Sequence, residues 1–239
     1  MNAQLPMRAG RGTGQKHRPM NAFKYSFTPF ILIALFGCTA ARPRPLAQPE
    51  AMIAQGTFTH EASGMTFPLH VGDFERSTVL RKDTQGRHVS ARYDLISMAV
   101  SVAVTVDIYP APPLDTVGLP SEMVAVAREN LSQQEFESRR RGIMSSHSGA
   151  VLVQEGELSL PQSVHPHPGK LAVFEYEDTF SRQRQPVRSQ LYVFCFAGGD
   201  WVINYQFTYP RNADALQEVE TFMTNLPWTL KRAAPMGSR

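Results

Sequence analysis

Few residues in this chain have the types and spacing that chemistry needs. The segment "SVHPHPGK" sets His165 and His167 two residues apart in a turn, where both imidazoles could reach one cation. Two imidazoles fall one short of the usual catalytic zinc set. The segment therefore reads as a Pro-Gly hairpin loop with exposed histidines, a surface transition-metal contact being the alternative. The run "SSHS" at 145–148 puts His147 between serines, yet sequence neighbours rarely form a nucleophile and its base, and no orienting carboxylate is evident. Cys195 lies in "LYVFCFA", an apolar strand in which a cysteine acts as a small buried hydrophobe. A catalytic thiol would need a polar, partly open site beside a base. The chain has no G-x-S-x-G, H-E-x-x-H, P-loop or G-x-G-x-x-G pattern, so no catalytic residue and no cofactor is expected.

One acidic cluster is subtler. If a hairpin turns near His165, Glu155 lies opposite Glu175, with Glu157 and Glu177 on the same outward face. Like charges across a ladder are unfavourable. Arg182, Arg184 and Arg188 on the next strand connection are the expected compensators, with a cationic partner as the alternative.

The stretch "FTPFILIALFGCTA", Phe27 to Ala40, decides which residues belong to the working protein. A membrane-spanning helix needs roughly 20 apolar residues, and the apolar run from Phe27 to Phe36 is half that and interrupted by Pro29. Behind Arg8, Arg11, Lys16, Arg18 and Lys24, with no acid among them, it has the form of a secretory leader. Leu35-Phe36-Gly37-Cys38 resembles the bacterial lipobox, with Phe36 standing where a smaller residue is usual. That resemblance implies removal of residues 1–37, a lipid on the Cys38 sulfur and attachment to a membrane. Ordinary cleavage after Ala40 or Ala41 is the rival. Thr39 follows the cysteine where an Asp would retain the protein at the inner membrane, which implies the outer membrane. Met20 already opens a complete leader, so residues 1–19 are either an upstream start extension or a long n-region.

Removing the leader changes the charge. Of 24 basic and 21 acidic residues, five basic ones and no acidic one precede Cys38, leaving 19 against 21 and a net charge of −2. The basic balance belongs to the leader, so nothing here supports nucleic-acid binding, which needs a basic face on the folded domain. Lipidation of Cys38 would leave Cys195 without an intramolecular partner, so a core and not a disulfide must hold the domain together.

Residues 38–56 carry three prolines and no apolar period and read as a tether. A single domain follows over 57–230, with 231–239 as a frayed tail. Glycines and prolines punctuate strands near 57–60, 66–69, 74–82 and 87–95. From Met98 to Tyr109, Val100, Val102, Val104, Val106 and Ile108 alternate with Ser101, Ala103, Thr105 and Asp107, the period of a half-buried strand. A helix is expected over 120–141, with Met123, Val124, Ala127 and Leu131 on its inner face, Arg139, Arg140 and Arg141 at its negative end and Gly142 closing it. Four strands between 150 and 209 follow. In "LYVFCF" both faces are apolar, which requires cover on both. A second helix over 212–225, with Asn212 as N-cap, presents Leu216, Val219, Phe222, Met223 and Leu226. The pattern is α+β: an antiparallel sheet with a helix on each face, with Val104, Phe194, Cys195, Phe222 and Leu226 buried. An all-β sandwich with two peripheral helices is the alternative.

This order, with "MTFPLHVGDFER" and "DTQGRHVSARYD", resembles the PsbP-like superfamily of bacterial lipoproteins and periplasmic proteins, which includes DcrB-type proteins. The resemblance implies an α/β/α sandwich used for binding or assembly, and it transfers no active site. Two function classes follow. One is a membrane-anchored, periplasm-facing binding or assembly module with an envelope protein as partner. The other is an envelope hydrolase whose site is assembled from dispersed Asp, Glu and His residues. A deep cleft of convergent ionisable residues would favour the hydrolase, and an apolar patch or exposed strand edge the binder.

Overall fold

A computed structural model describes residues 44–97, 100–158 and 168–232. The leader, Cys38, His165 and His167 lie outside the described residues. The described chain is α+β, with eleven strands and two helices. The strands are β1 (Pro45–Ala51), β2 (Phe58–Thr59), β3 (Thr66–Phe67), β4 (His70–Val71), β5 (Phe74–Asp83), β6 (Val89–Ile96) and β7 (Ser101–Pro110), then β8 (Val151–Leu158), β9 (Gly169–Phe180), β10 (Gln183–Ala197) and β11 (Trp201–Pro210). Helix α1 (Ser121–Ser146) separates β7 from β8, and α2 (Leu216–Asn225) follows β11. Nine strands form one sheet in the order β1-β5-β6-β7-β11-β10-β9-β8, with β4 also paired to β5; β2 and β3 make a separate two-stranded ribbon. Every neighbouring pair is antiparallel.

The period of two in β7 and β11 sorts side chains into two packed clusters. Val102, Val104, Val106 and Ile108 of β7 join Trp201, Ile203, Tyr205 and Phe207 of β11, and α2 adds Val219, Phe222 and Met223 to them. Tyr109 and Val202 belong to the second cluster, with Leu191, Val193 and Cys195 of β10 and Phe136 and Ile143 of α1. Strand β10 is buried at every residue from Leu191 to Ala197 and feeds both clusters, Tyr192 and Phe194 joining the first. A bulge between Phe194 and Ala197, with Phe196 at a φ of 56°, lets Cys195 and Phe196 point into the same cluster. The five residues expected to be buried, Val104, Phe194, Cys195, Phe222 and Leu226, are all buried.

Six local expectations need correction. Pro45–Ala51, expected to be tether, is an edge strand on β5. Proline is tolerated there because an edge strand leaves backbone positions outside the ladder. The buried Arg76 guanidinium then pins the following segment by donating to the carbonyls of Ala54, Gly56 and Phe67. At the other end, Trp201 Nε1 donates to the Lys231 carbonyl at 2.7 Å, and Lys231 N to the Ser63 carbonyl at 2.6 Å, so the Lys231 backbone is hydrogen-bonded and not frayed.

Helix α1 runs through Gly142 to Ser146. One interior glycine costs only about 1 kcal/mol, and the triple arginine therefore lies before the last turn. Its inner stripe differs from expectation in part: Met123 is exposed, Val124, Ala127 and Leu131 are half-buried as expected, and Arg128, Ser132, Glu135, Phe136, Arg139 and Ile143 join them. Helix α2 starts at Leu216, which is exposed, with Ala215 and not Asn212 at the N-cap.

Finally, Glu155 faces Ala172 and Glu175 faces Val151, because the β8–β9 ladder sets Leu158 opposite Gly169, a register different from the one that would pair the two glutamates. The compensation is real but differently shared. Arg188 reaches Glu175 at 2.8 Å, while Arg140 of α1 lies 3.5 Å from Glu155.

Candidate functional site

The face of β7 opposite its valines holds Thr105, Asp107 and Tyr109, and the antiparallel ladder sets Gln206 and Asn204 of β11 beside the first two. Lys82 reaches in from β5, and His88 from the turn before β6. Helix α1 crosses above with Glu135, Ser138 and Arg139. Because α1 turns charged side chains inward here, no apolar stripe seals it onto the sheet, and a cleft of about 540 Å³ remains between Lys82, Asp107, Glu135, Arg139, Asn204 and His147. Two smaller hollows adjoin it. One of about 300 Å³ shares Lys82, Tyr109 and Glu135, and one of about 190 Å³ shares Thr105, His147 and Gln206.

The charges in the cleft are paired in two groups. On the strand wall, Lys82 Nζ donates to Asp107 Oδ1 at 2.6 Å, and His88 Nε2 stands 3.6 Å from the same oxygen, too far for a hydrogen bond. On the helix wall, Tyr109 Oη donates to Glu135 Oε1 at 2.6 Å while Arg139 Nε is 2.9 Å from that oxygen and 3.0 Å from Tyr109 Oη. The Arg139 guanidinium also covers the Tyr109 ring at 4.4 Å from its centroid, a favourable cation–π arrangement.

Burial alone would raise the Asp107 carboxyl, but His88 and Lys82 beside it more than reverse this and hold it well below the usual carboxylate range. Burial pushes the Tyr109 phenol well above its ordinary value, and Glu135 acts in the same direction, so Tyr109 remains a donor. Burial would lower Arg139, yet Tyr109, Asp107 and Glu135 together hold its guanidinium firmly charged. The cleft is thus a fixed array of two cations and two anions with neutral amides and hydroxyls around it.

The residues singled out in the sequence fall elsewhere or at its rim. His147 caps α1, its ring stacked on Tyr176 with centroids 4.0 Å apart and its Nδ1 3.9 Å from Asp178 Oδ2, so a carboxylate does stand near it. Cys195 lines a different cavity, of about 580 Å³, on the other flank of α1. Burial pushes its thiol up to about 12, which keeps it protonated and unreactive. Among the described residues no group of three or more His, Cys, Asp or Glu side chains could hold a metal ion, and no helix is long and apolar enough to cross a membrane.

Sequence reasoning missed Lys82, Asp107, Glu135 and Arg139. The available signal was the i, i+4 pair Glu135 and Arg139 in register with Phe136 and Ile143, which places charge beside the buried stripe, and Asp107 in a strand otherwise rich in valine. Comparison of the chain with protein-family models, curated proteins and solved structures finds no match.

Proposed function

We propose that this chain is a periplasm-facing lipoprotein, held through a lipid on Cys38 in the outer membrane, whose folded domain works by binding and carries out no covalent chemistry. The leader pattern before Cys38 and Thr39 after it support the anchoring. Strand β1 begins at Pro45, so seven residues, Cys38 to Arg44, separate the lipid from the sheet. Fully extended they reach at most about 25 Å. The domain would stay close to the bilayer, and its partners would meet it at raised effective concentration.

The same proposal includes a PsbP-like sandwich with one helix on each face of the sheet. Alternate residues of a strand point to opposite faces. Leu191, Val193 and Cys195 share a cluster with α1, and the intervening Tyr192 and Phe194 share one with α2, which supports that arrangement.

The observation that carries binding over catalysis is the pairing in the cleft. A general base needs a proton affinity near the working pH, and a nucleophilic thiol must ionise there. Asp107 is held as a low-affinity carboxylate beside Lys82, Glu135 is engaged by Tyr109 and Arg139, and the buried Cys195 thiol stays protonated. The edge strand β8 adds an exposed apolar surface through Val151 and Val153, suited to an envelope protein partner. The hydrolase reading rests on one observation, the approach of His147 to Asp178 at the rim of the cleft.

Palmitate labelling tests the anchor: wild type incorporates the label, and Cys38→Ala does not. The unanchored Cys38→Ala form, exported by a cleavable leader, should fold yet fail to complement a deletion at native expression, with partial rescue on overexpression. Unlabelled protein beginning near Ala41 would contradict the anchor. Loss of function in His147→Ala, with fold and partner binding intact, would favour the hydrolase instead.

A further inference from the structure

We propose that the cleft between α1 and the sheet binds a small zwitterion of the α-amino-acid type, its carboxylate on Arg139 and its ammonium between Asp107 and Glu135. This deepens the binding reading and rests on it. Each wall carries one charge of either sign, Lys82 with Asp107 on the strands and Arg139 with Glu135 on the helix. A simple anion entering the cleft would meet two carboxylates, and a simple cation would meet an ammonium and a guanidinium. Only a ligand with both signs finds each of its charges answered.

The hydrogen bonding leaves room for that ligand. Among the described residues Arg139 donates through Nε alone, so its two Nη groups, the fork that matches a carboxylate, are unengaged. Glu135 accepts both of its bonds on Oε1, and Asp107 its contacts on Oδ1, leaving Oε2 and Oδ2 as acceptors for an ammonium. Asn204, Gln206 and Ser138 supply uncharged groups around them. A volume of about 540 Å³ lies within the range of small-ligand sites, roughly 300 to 1,000 Å³. A neutral sugar fits less well, since sugars stack on an open aromatic face and Arg139 covers that of Tyr109, with the His88 ring 4.9 Å from it on centroids.

Isothermal titration of the full chain in detergent with each of the twenty free L-α-amino acids, followed by the N-acetyl and amide derivatives of any that bind, tests this. At least one free amino acid should bind, and both derivatives, each lacking one charge, should bind at least about tenfold more weakly. Arg139→Gln should weaken the free amino acid by a similar factor and leave the amide unchanged. Gly142 lines the cleft, and a Cβ built on it meets nothing within 4 Å. Gly142→Leu should therefore keep the fold and abolish binding. The proposal is overturned if no amino acid binds, if an N-acetyl derivative binds as well as its parent, or if Gly142→Leu leaves binding intact. None of these results would touch the anchor, which palmitate labelling and complementation test separately.

Discussion

Around α2, Phe222 sits among Phe74, Tyr93, Phe207 and Tyr205 with ring centroids from 4.8 to 6.3 Å away. Beside α1, strands of the same sheet meet Lys82, Asp107, Glu135 and Arg139 around an open cleft. The first region has close-packed, edge-to-face aromatic contacts of the kind that dominate core energetics. The second gives up that packing, because the inner stripe of α1 alternates apolar residues with charge and buries only Phe136 and Ile143 fully. The proposed division is that the aromatic region supplies stability and the charged cleft recognition.

The contrast breaks most visibly at Phe222. Its complete burial and four aromatic neighbours predict that Phe222→Ala costs about 3–5 kcal/mol, read from urea unfolding followed by tryptophan fluorescence. A change near zero would mean that the aromatic cluster does not carry the stability assigned to it.

A smaller effect separates the two regions by pH. The Asp107 carboxyl is depressed in the folded state, so its contribution is complete above the unfolded value of about 3.9 and is lost as pH falls below it. Asp107→Asn should cost about 1–3 kcal/mol at neutral pH and remove that acid-limb slope. His60, in the first region, behaves oppositely in cause. Burial lowers its affinity for a proton, and its ring is held by Ser63 Oγ at 2.7 Å and the Gly86 carbonyl at 2.9 Å. The unfolded chain takes up the proton first, so stability should fall as pH drops through about 6.5. His60→Gln should flatten that window while leaving the lower one intact. Coincident slopes in both variants would erase the distinction.

How legible these regions were follows from the range of the interactions that make them. The valine alternation of β7 and the aromatic alternation of β11 are local patterns, and the buried cluster they predict is the one observed. Strand β1 was hidden by Pro45 and Pro49, which suit an extended tether as well as an edge strand. The end of α1 was misplaced because Gly142 looks like a stop and is instead an interior position facing the cleft. The cleft itself depends on pairs distant in sequence, Lys82 with Asp107 and Tyr109 with Glu135. No periodicity in one segment announces such a pair. The β8–β9 register was missed because it depends on where the chain turns between the two strands, and a turn placed wrongly by one or two residues displaces every pair in the ladder.

The central claim is that the cleft beside α1, and not a catalytic residue or the aromatic core, carries the function. Complementation of a deletion by Gly142→Leu at native expression, with its urea unfolding curve measured alongside, tests this most directly. The account predicts unfolding at least as resistant as wild type, since leucine favours a helix more than glycine does, together with loss of complementation. Full complementation by a protein whose cleft is filled would contradict it.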